Sequence, residues 1–120
     1  MLTQSQPLVI LCAMHTEADA IIHALDLKPV PHPWLDHLPP RIWAGDVDGH
    51  PVHLAVNGRD PRTNAELIGT TPATLAANLV INHLNPSSIL IAGAAGGCSK
   101  TTRIGQVLLV DKAFHHDRRI

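Results

Sequence analysis

Aromatic residues are scarce in this chain of 120 residues, which contains two Trp, one Phe and no Tyr. Proteins that bind single-stranded nucleic acid stack the bases on aromatic side chains, and so few residues cannot form such a surface. An excess of one charge is also lacking, because nine Lys and Arg oppose ten Asp and Glu for a formal net charge of −1. Without a basic surplus, neither nucleic acid nor an anionic membrane surface is an expected partner.

Cysteine and long apolar runs are limited as well. Cys12 and Cys98 stand far apart without the spacing of a metal site, so we expect reduced thiols in or near the core of a cytoplasmic protein. The polar leader at residues 1–7 and the short apolar run at residues 8–13 predict neither a signal peptide nor a membrane span. Apolar residues still make up 45% of the chain, enough for one small domain with a core.

Histidine, in contrast, is abundant, with nine residues in the chain. His50 and His53 are an odd number of positions apart on a predicted strand, so their side chains point to opposite faces. His115, His116 and Asp117 are adjacent in an extended segment and diverge in the same way. We therefore expect surface and core histidines, and the sequence predicts no metal site and no cofactor.

The stretch at residues 89–97 combines a strand pattern with a glycine-rich end. Four apolar residues, two of them β-branched, run into Gly93, Ala94, Ala95, Gly96 and Gly97. The pattern predicts a buried strand that leads into a loop where a ligand can approach main-chain N–H groups. Because ligands bind at the carboxyl ends of strands in open α/β sheets, a binding site is one interpretation. A tight turn behind a core strand is the other.

Apolar periodicity and turn residues divide the chain into seven elements. Strands are predicted at residues 8–13, 41–47, 51–56, 89–92 and 105–114, and helices at about 16–26 and 72–84. Thr16 and Asp19 resemble a capping box, which places Glu17 in the first turn of the first helix. Thr71 is the predicted cap of the second helix, with Pro72 at its first position.

The predicted class is α/β, with the order β-α-β-β-α-β-β and some parallel pairing. Asp48 and Gly49 form a strong hairpin signal between the second and third strands. The loop at residues 57–67 is long for a compact domain, which favours a functional role. No helix follows the last predicted strand to cover it, so we expect residues 1–120 to form the first half of a larger domain.

Five motifs follow one another along the chain: Ala-Met-His-Thr-Glu at 13–17, Ile-Gly-Thr-Thr-Pro-Ala at 68–73, Gly-Ala-Ala-Gly-Gly at 93–97, Ile-Gly-Gln-Val at 104–107 and Phe-His-His-Asp-Arg-Arg-Ile at 114–120. Together they resemble motifs of the purine nucleoside phosphorylase and uridine phosphorylase superfamily, above all its methylthioadenosine/S-adenosylhomocysteine nucleosidase branch. The resemblance keeps order and spacing over residues 8–120, apart from the divergent stretch 28–67. It implies the N-terminal half of a phosphorylase/hydrolase-like three-layer α/β/α fold with a mixed sheet.

The resemblance implies hydrolysis of the N-glycosidic bond of an adenine thionucleoside, with release of adenine and without a cofactor. Glu17 then holds the attacking water and helps to deprotonate it. A carboxylate in the first helical turn is favoured in its charged form by the helix dipole, as a base requires. The same charge would repel the phosphate that phosphorylases use. From its position alone, without the flanking motifs, the favoured interpretation of Glu17 is an ordinary surface glutamate at a helix start.

The other site residues also come from the resemblance, which assigns them to the ribose, alkylthio and base regions of a nucleoside pocket. The predicted substrate-binding set is Met14, Ile68, Gly69, Ala94, Ala95, Gly96 and Ile120. Ile120 matches a hydrophobic position that reaches the site of the neighbouring subunit, which implies a homodimer with shared sites.

Two departures from the family pattern affect the expected activity. Ala94 stands where the branch has Ser or Thr, and the loss of one hydrogen bond to a positioned water costs about 1 kcal/mol. In addition, the family's ribose-gripping Met-Glu pair, base-stacking aromatic and catalytic Asp have no counterpart in these 120 residues. We therefore expect the isolated chain to be inactive. A nucleoside phosphorylase-like enzyme and a non-catalytic nucleoside-binding or dimerisation module are the alternatives.

Overall fold

The computed structural model describes residues 5–114 of the chain. Its regular elements are β1 (Leu8–Cys12), α1 (His15–Ala24), β2 (Lys28–Pro29), β3 (Arg41–Val47), β4 (His50–Val56), α2 (Thr70–Leu84) and β5 (Ser88–Ile91). A 3₁₀ turn at Pro33–Leu35 lies in the proline-rich crossover between β2 and β3. Neither α1 nor α2 has the length and hydrophobicity that a membrane-spanning helix requires.

The strands form one mixed sheet in the order β2-β3-β4-β1-β5. β1 pairs in parallel with β4 on one side and with β5 on the other, so Ile10 lies opposite both Leu54 and Leu90. β3 and β4 form the predicted antiparallel hairpin. Its turn residues Asp48 and Gly49 both have positive φ angles, 53° and 82°, which is the backbone geometry that a tight hairpin requires. The predicted α/β class with a mixed sheet is therefore confirmed.

The two helices pack on opposite faces of the sheet because side chains alternate along β1. Ile10 joins the core on one face together with Ala18 of α1 and Leu54 of β4. Val9 points to the other face and joins a second core that includes Val80 of α2. Three layers result, with the sheet between α1 and α2.

The predicted strand at residues 105–114 is wrong, because this segment forms no strand in the structure and is exposed. A strand must pair its N–H and C=O groups with a neighbour, and the sheet order places no other described strand beside it. The prediction that β5 is buried is wrong as well. Ile91 is 82% exposed because β5 lies at the edge of the sheet, where no described element covers it.

The helix starts also differ from the predicted ones. The capping pair of α1 is Met14 with Glu17, whose carboxylate accepts the Met14 N–H, and not Thr16 with Asp19. The reason is that the chain turns directly after β1, so the helix begins one residue earlier. α2 begins at Thr70 with Gly69 as its cap, where φ is 105°, a value that glycine adopts without strain.

The two thiols lie in different environments. Cys12 is buried, whereas Cys98 is exposed, and both are free. The prediction of a core or near-core position is thus confirmed for Cys12 and wrong for Cys98, which follows the edge strand and has little to pack against.

Candidate functional site

The carboxyl ends of β1 and β5 meet at one edge of the sheet because the two strands are parallel neighbours. Just beyond β5, the N–H of Ala92 donates to the carbonyl of Leu11 at 2.9 Å. The segments that follow β1 and β5 therefore leave the sheet side by side. α1 follows one of them and the glycine-rich segment 93–97 follows the other. The two segments that the sequence singled out are therefore neighbours in space.

The Glu17 carboxylate bridges these two segments. Its Oε1 accepts a hydrogen bond from the main-chain N–H of Ala94 at 2.9 Å, and its Oε2 accepts one from Met14 at 3.2 Å. A Cβ atom added at Gly93 would lie only 3.3 Å from Oε1, so glycine allows the chain to pass close to the carboxylate. The structure thus brings Glu17, Met14 and Ala94 together.

The Glu17 carboxylate lies at the start of α1, close enough to the Cys12 thiol for its charge to act on that group. The side chain lies in the first turn of α1, where the helix dipole attracts a negative charge, and both its oxygens accept main-chain hydrogen bonds. Burial raises the pKa of the neighbouring Cys12 thiol to about 11, and the charge of Glu17 contributes to that rise. Cys12 is therefore a neutral thiol at neutral pH.

The remaining predicted residues lie in other parts of the fold or outside the described residues. Ala95 and Gly96 are exposed and line an open cleft of about 790 Å³. Ile68 is exposed and Gly69 caps α2, at the end of the loop between β4 and α2. Ile120 lies outside the described residues. Among residues 5–114, no three His, Cys, Asp or Glu side chains are close enough to hold a metal ion.

A second carboxylate, which the sequence did not single out, is held at the start of α1. Glu66 Oε2 lies 2.9 Å from His15 Nδ1 and accepts the main-chain N–H of His15 at 3.4 Å. Its Oε1 lies 2.9 Å from Arg59 Nη2 and accepts the Arg59 Nε–H at 3.0 Å. A polar cleft of about 290 Å³, lined in part by His15 and Arg59, opens beside this cluster.

The charge state of Glu66 follows from these contacts. Burial by itself raises the pKa of the carboxyl group, but the hydrogen bonds from His15 and Arg59 outweigh this effect, and the net pKa is lowered. Glu66 is therefore ionised at neutral pH. The length of the loop 57–67 was the only sequence signal for this cluster, since the partners His15 and Glu66 are 51 positions apart.

Comparison with known proteins identifies the family. The model of the phosphorylase superfamily matches residues 7–120. Among solved structures, an MTA/SAH nucleosidase is 25% identical with a TM-score of 0.68, covering 72% of this chain and 36% of that one. The apo 5′-methylthioadenosine nucleosidase of Arabidopsis thaliana gives the same values. The methylthioadenosine/S-adenosylhomocysteine nucleosidase of Neisseria meningitidis, solved with methylthio-immucillin-A, shares the fold with 20% identity and a TM-score of 0.60, covering 82% of this chain and 37% of that one.

The chain covers only part of each matched structure, whereas the family model covers nearly all of the chain. The chain spans little more than a third of the length of the matched structures. The family match covers almost the whole chain, and the mixed sheet with a helix on either face agrees with it. The chain belongs to the phosphorylase superfamily.

Proposed function

We propose that this chain is the N-terminal part of a nucleosidase that hydrolyses the N-glycosidic bond of methylthioadenosine or S-adenosylhomocysteine and releases adenine. The observation that carries the proposal is the position of Glu17, whose carboxylate bridges the glycine-rich segment and the start of α1. A carboxylate oxygen has more than one lone pair, so Glu17 can accept the proton of a water molecule while its main-chain contacts hold it in place.

The proposed reaction balances as a hydrolysis. The oxygen of water forms a bond to the ribosyl carbon, the bond from that carbon to adenine breaks, and the proton of the water passes to Glu17. Adenine must receive a proton as it leaves. Glu66 is poorly suited to supply it, because its lowered pKa keeps it ionised. We infer that the acid belongs to another part of the whole protein, so the chain of 120 residues alone is inactive.

Hydrolysis is favoured over phosphorolysis by charge. A phosphate brought to the ribosyl carbon would approach two carboxylates, Glu17 and Glu66. Both accept hydrogen bonds from main-chain N–H groups at the start of α1. Like charges repel each other, so the two carboxylates disfavour a phosphate at this position. The superfamily resemblance also supports a cytoplasmic homodimer in which the Ile120 region of one subunit completes the site of the other.

A non-catalytic nucleoside-binding module is the second candidate, and Ala94 favours it. Its methyl group cannot hold the nucleophilic water, so only its main-chain N–H contributes to the site, and this N–H is already bonded to Glu17.

Calorimetric titration of the chain with methylthio-immucillin-A tests the proposal. We expect binding by the unmodified chain and affinity about 10- to 150-fold weaker in Glu17→Gln, because the loss of a charged hydrogen-bond acceptor costs about 1.5–3 kcal/mol. Asp19→Asn is the matched control, since Asp19 is exposed on the same helix, and its affinity stays within about twofold of the unmodified chain.

Three results would contradict the proposal. Binding that is indifferent to Glu17 would favour the non-catalytic module. Adenine release from methylthioadenosine by the 120-residue chain would show that the acid is present after all. Activity of a longer form that requires phosphate would favour the phosphorylase-like alternative.

A further inference from the structure

The start of α1 has an unusual cap. The first N–H groups of a helix have no partner within it and are normally bonded by the side chain of the cap residue. Here the cap residue is Met14, whose thioether is only a weak acceptor. The N–H of Met14 is bonded by Glu17 from within the helix, and the N–H of His15 is bonded by Glu66 from the loop between β4 and α2.

Glu66 is also held in place by residues of its own loop, which joins β4 to α2. Arg59 donates to it across the loop, and residues 59 and 66 form an isolated β-bridge. The same loop is closed by hydrogen bonds from the Leu67 N–H to the Gly58 carbonyl and from the Asn57 side chain to the Leu67 carbonyl, at 2.9 and 3.0 Å. The carboxylate is thus attached to a well-bonded loop, and it is a fixed partner for α1.

Two parts of the proposed site are therefore joined through one side chain. The start of α1 carries Met14 and Glu17, and the loop leads within three residues from Glu66 to Gly69 at the start of α2. The imidazole of His15 adds a second contact to Glu66 and packs edge-on against Trp43 of β3, with ring centroids 5.9 Å apart. These contacts limit how far the start of α1 can move relative to the loop.

We propose that Glu66 is a positioning residue for Glu17. By capping α1 from the neighbouring loop, Glu66 fixes the direction of the Met14–Glu17 turn and holds the Ile68–Gly69 segment beside it. The role in substrate binding rests on the proposed function, since it assumes that Glu17 and Ile68 contact a thionucleoside. The role in capping does not, because it concerns only His15, Glu66 and Arg59.

A double-mutant cycle tests the positioning role. The affinity for methylthio-immucillin-A is measured by calorimetry in the unmodified chain, Glu66→Gln, Glu17→Gln and the double variant, at a temperature where circular dichroism shows each to be folded. We expect Glu66→Gln to weaken binding by about tenfold in the unmodified background and by less than about twofold in the Glu17→Gln background, because coupled residues are not additive. A residue that only stabilises the fold would not produce this dependence.

Asp60→Asn is the matched control. Asp60 lies in the same loop, but its carboxylate accepts hydrogen bonds from the N–H groups of Arg62 and Thr63 and, among the described residues, has no hydrogen bond to α1. We expect its affinity to stay within about twofold of the unmodified chain. Equal losses in Glu66→Gln and Asp60→Asn would overturn the proposal, as would a loss in Glu66→Gln that is the same in both backgrounds.

Amide hydrogen exchange separates a failure of this proposal from a failure of the proposed function. The exchange rate of the His15 N–H is expected to rise by about tenfold in Glu66→Gln and to stay unchanged in Asp60→Asn, because only the first variant removes the cap. An unchanged His15 rate in Glu66→Gln would overturn the proposal. If the unmodified chain bound no inhibitor, the proposed function would be contradicted, and the exchange rates would still decide whether Glu66 caps α1.

Discussion

β1 and β5 are parallel neighbours built from similar apolar sequence, yet Val9 of β1 is fully buried whereas Ile91 of β5 is 82% exposed. β1 has a strand on either side and lies between α1 and α2, while β5 pairs with a single strand in the part of the chain that the structure describes. Burial is therefore set by the place of a strand in the sheet, and an apolar run only permits it. The exposed region continues through the glycine-rich segment to Phe114, and the candidate site lies where the two regions meet.

The largest difference between the regions is expected in core substitutions. Leu54 of β4 is fully buried between β1 and β3, so Leu54→Ala should lower the free energy of unfolding by about 2–5 kcal/mol, through lost burial and a cavity. Ile91→Ala, its control in the exposed region, should change it by less than about 0.5 kcal/mol. Urea denaturation of both variants measures the two effects. Similar losses in both would mean that β5 is covered in solution.

The two cysteines provide a chemical comparison. Burial, aided by the charge of Glu17, raises the pKa of Cys12 from 9.0 to about 11, so at pH 8 its thiolate fraction is about 100-fold lower than that of an ordinary thiol. Iodoacetamide should therefore modify Cys98 and spare Cys12 in the folded chain, and modify both in urea.

Mass spectrometry of the intact and digested chain locates the added groups, with Cys98→Ala as the control that removes the exposed thiol. Rapid alkylation of Cys12 in folded Cys98→Ala would show that the core around β1 opens readily, which would weaken the contrast between the regions.

Two glycines give the smallest expected difference in stability. Gly58 lies in the packed region with φ at 89°, and a Cβ atom there would be 1.9 Å from the Pro39 carbonyl oxygen. Gly58→Ala should cost about 1–3 kcal/mol, from backbone strain and overpacking. Nothing lies within 4 Å of a Cβ atom at Gly96, so Gly96→Ala should be within about 0.5 kcal/mol of the unmodified chain.

Thermal unfolding of the two glycine variants at one protein concentration measures this difference. A cost at Gly96 equal to that at Gly58 would indicate that the glycine-rich segment packs closely against another part of the protein in solution.

Most of the fold could be predicted from local patterns. Continuous apolar residues predicted β1, helical spacing predicted α1 and α2, and Asp48-Gly49 predicted the hairpin, because each depends on residues close together in the sequence. The predicted strand at 105–114 failed for the opposite reason, since a strand exists only where another strand pairs with it.

The residues of the candidate site also fall into two groups, those that could be predicted from the sequence and those that could not. Glu17 and the glycine-rich segment could be identified because each belongs to a short motif. Glu66 could not, because its importance depends on His15 and Arg59, and the hydrogen bond to His15 spans 51 positions. The capping pair was misplaced because Thr16 and Asp19 fit the usual motif, whereas the structure uses Glu17 with a methionine cap.

By itself, the sequence determined which segments become helices and hairpins, and it determined the superfamily, because residue order and spacing carry both kinds of information. Only the tertiary structure decided that Glu17 contacts Ala94, that Glu66 caps α1 and that β5 is an exposed edge. These features depend on which parallel strands are neighbours, and that choice is made by packing between segments far apart in the chain. The glycine-rich segment shows both contributions, since its composition allows close approach and the neighbouring β1 brings the carboxylate to it.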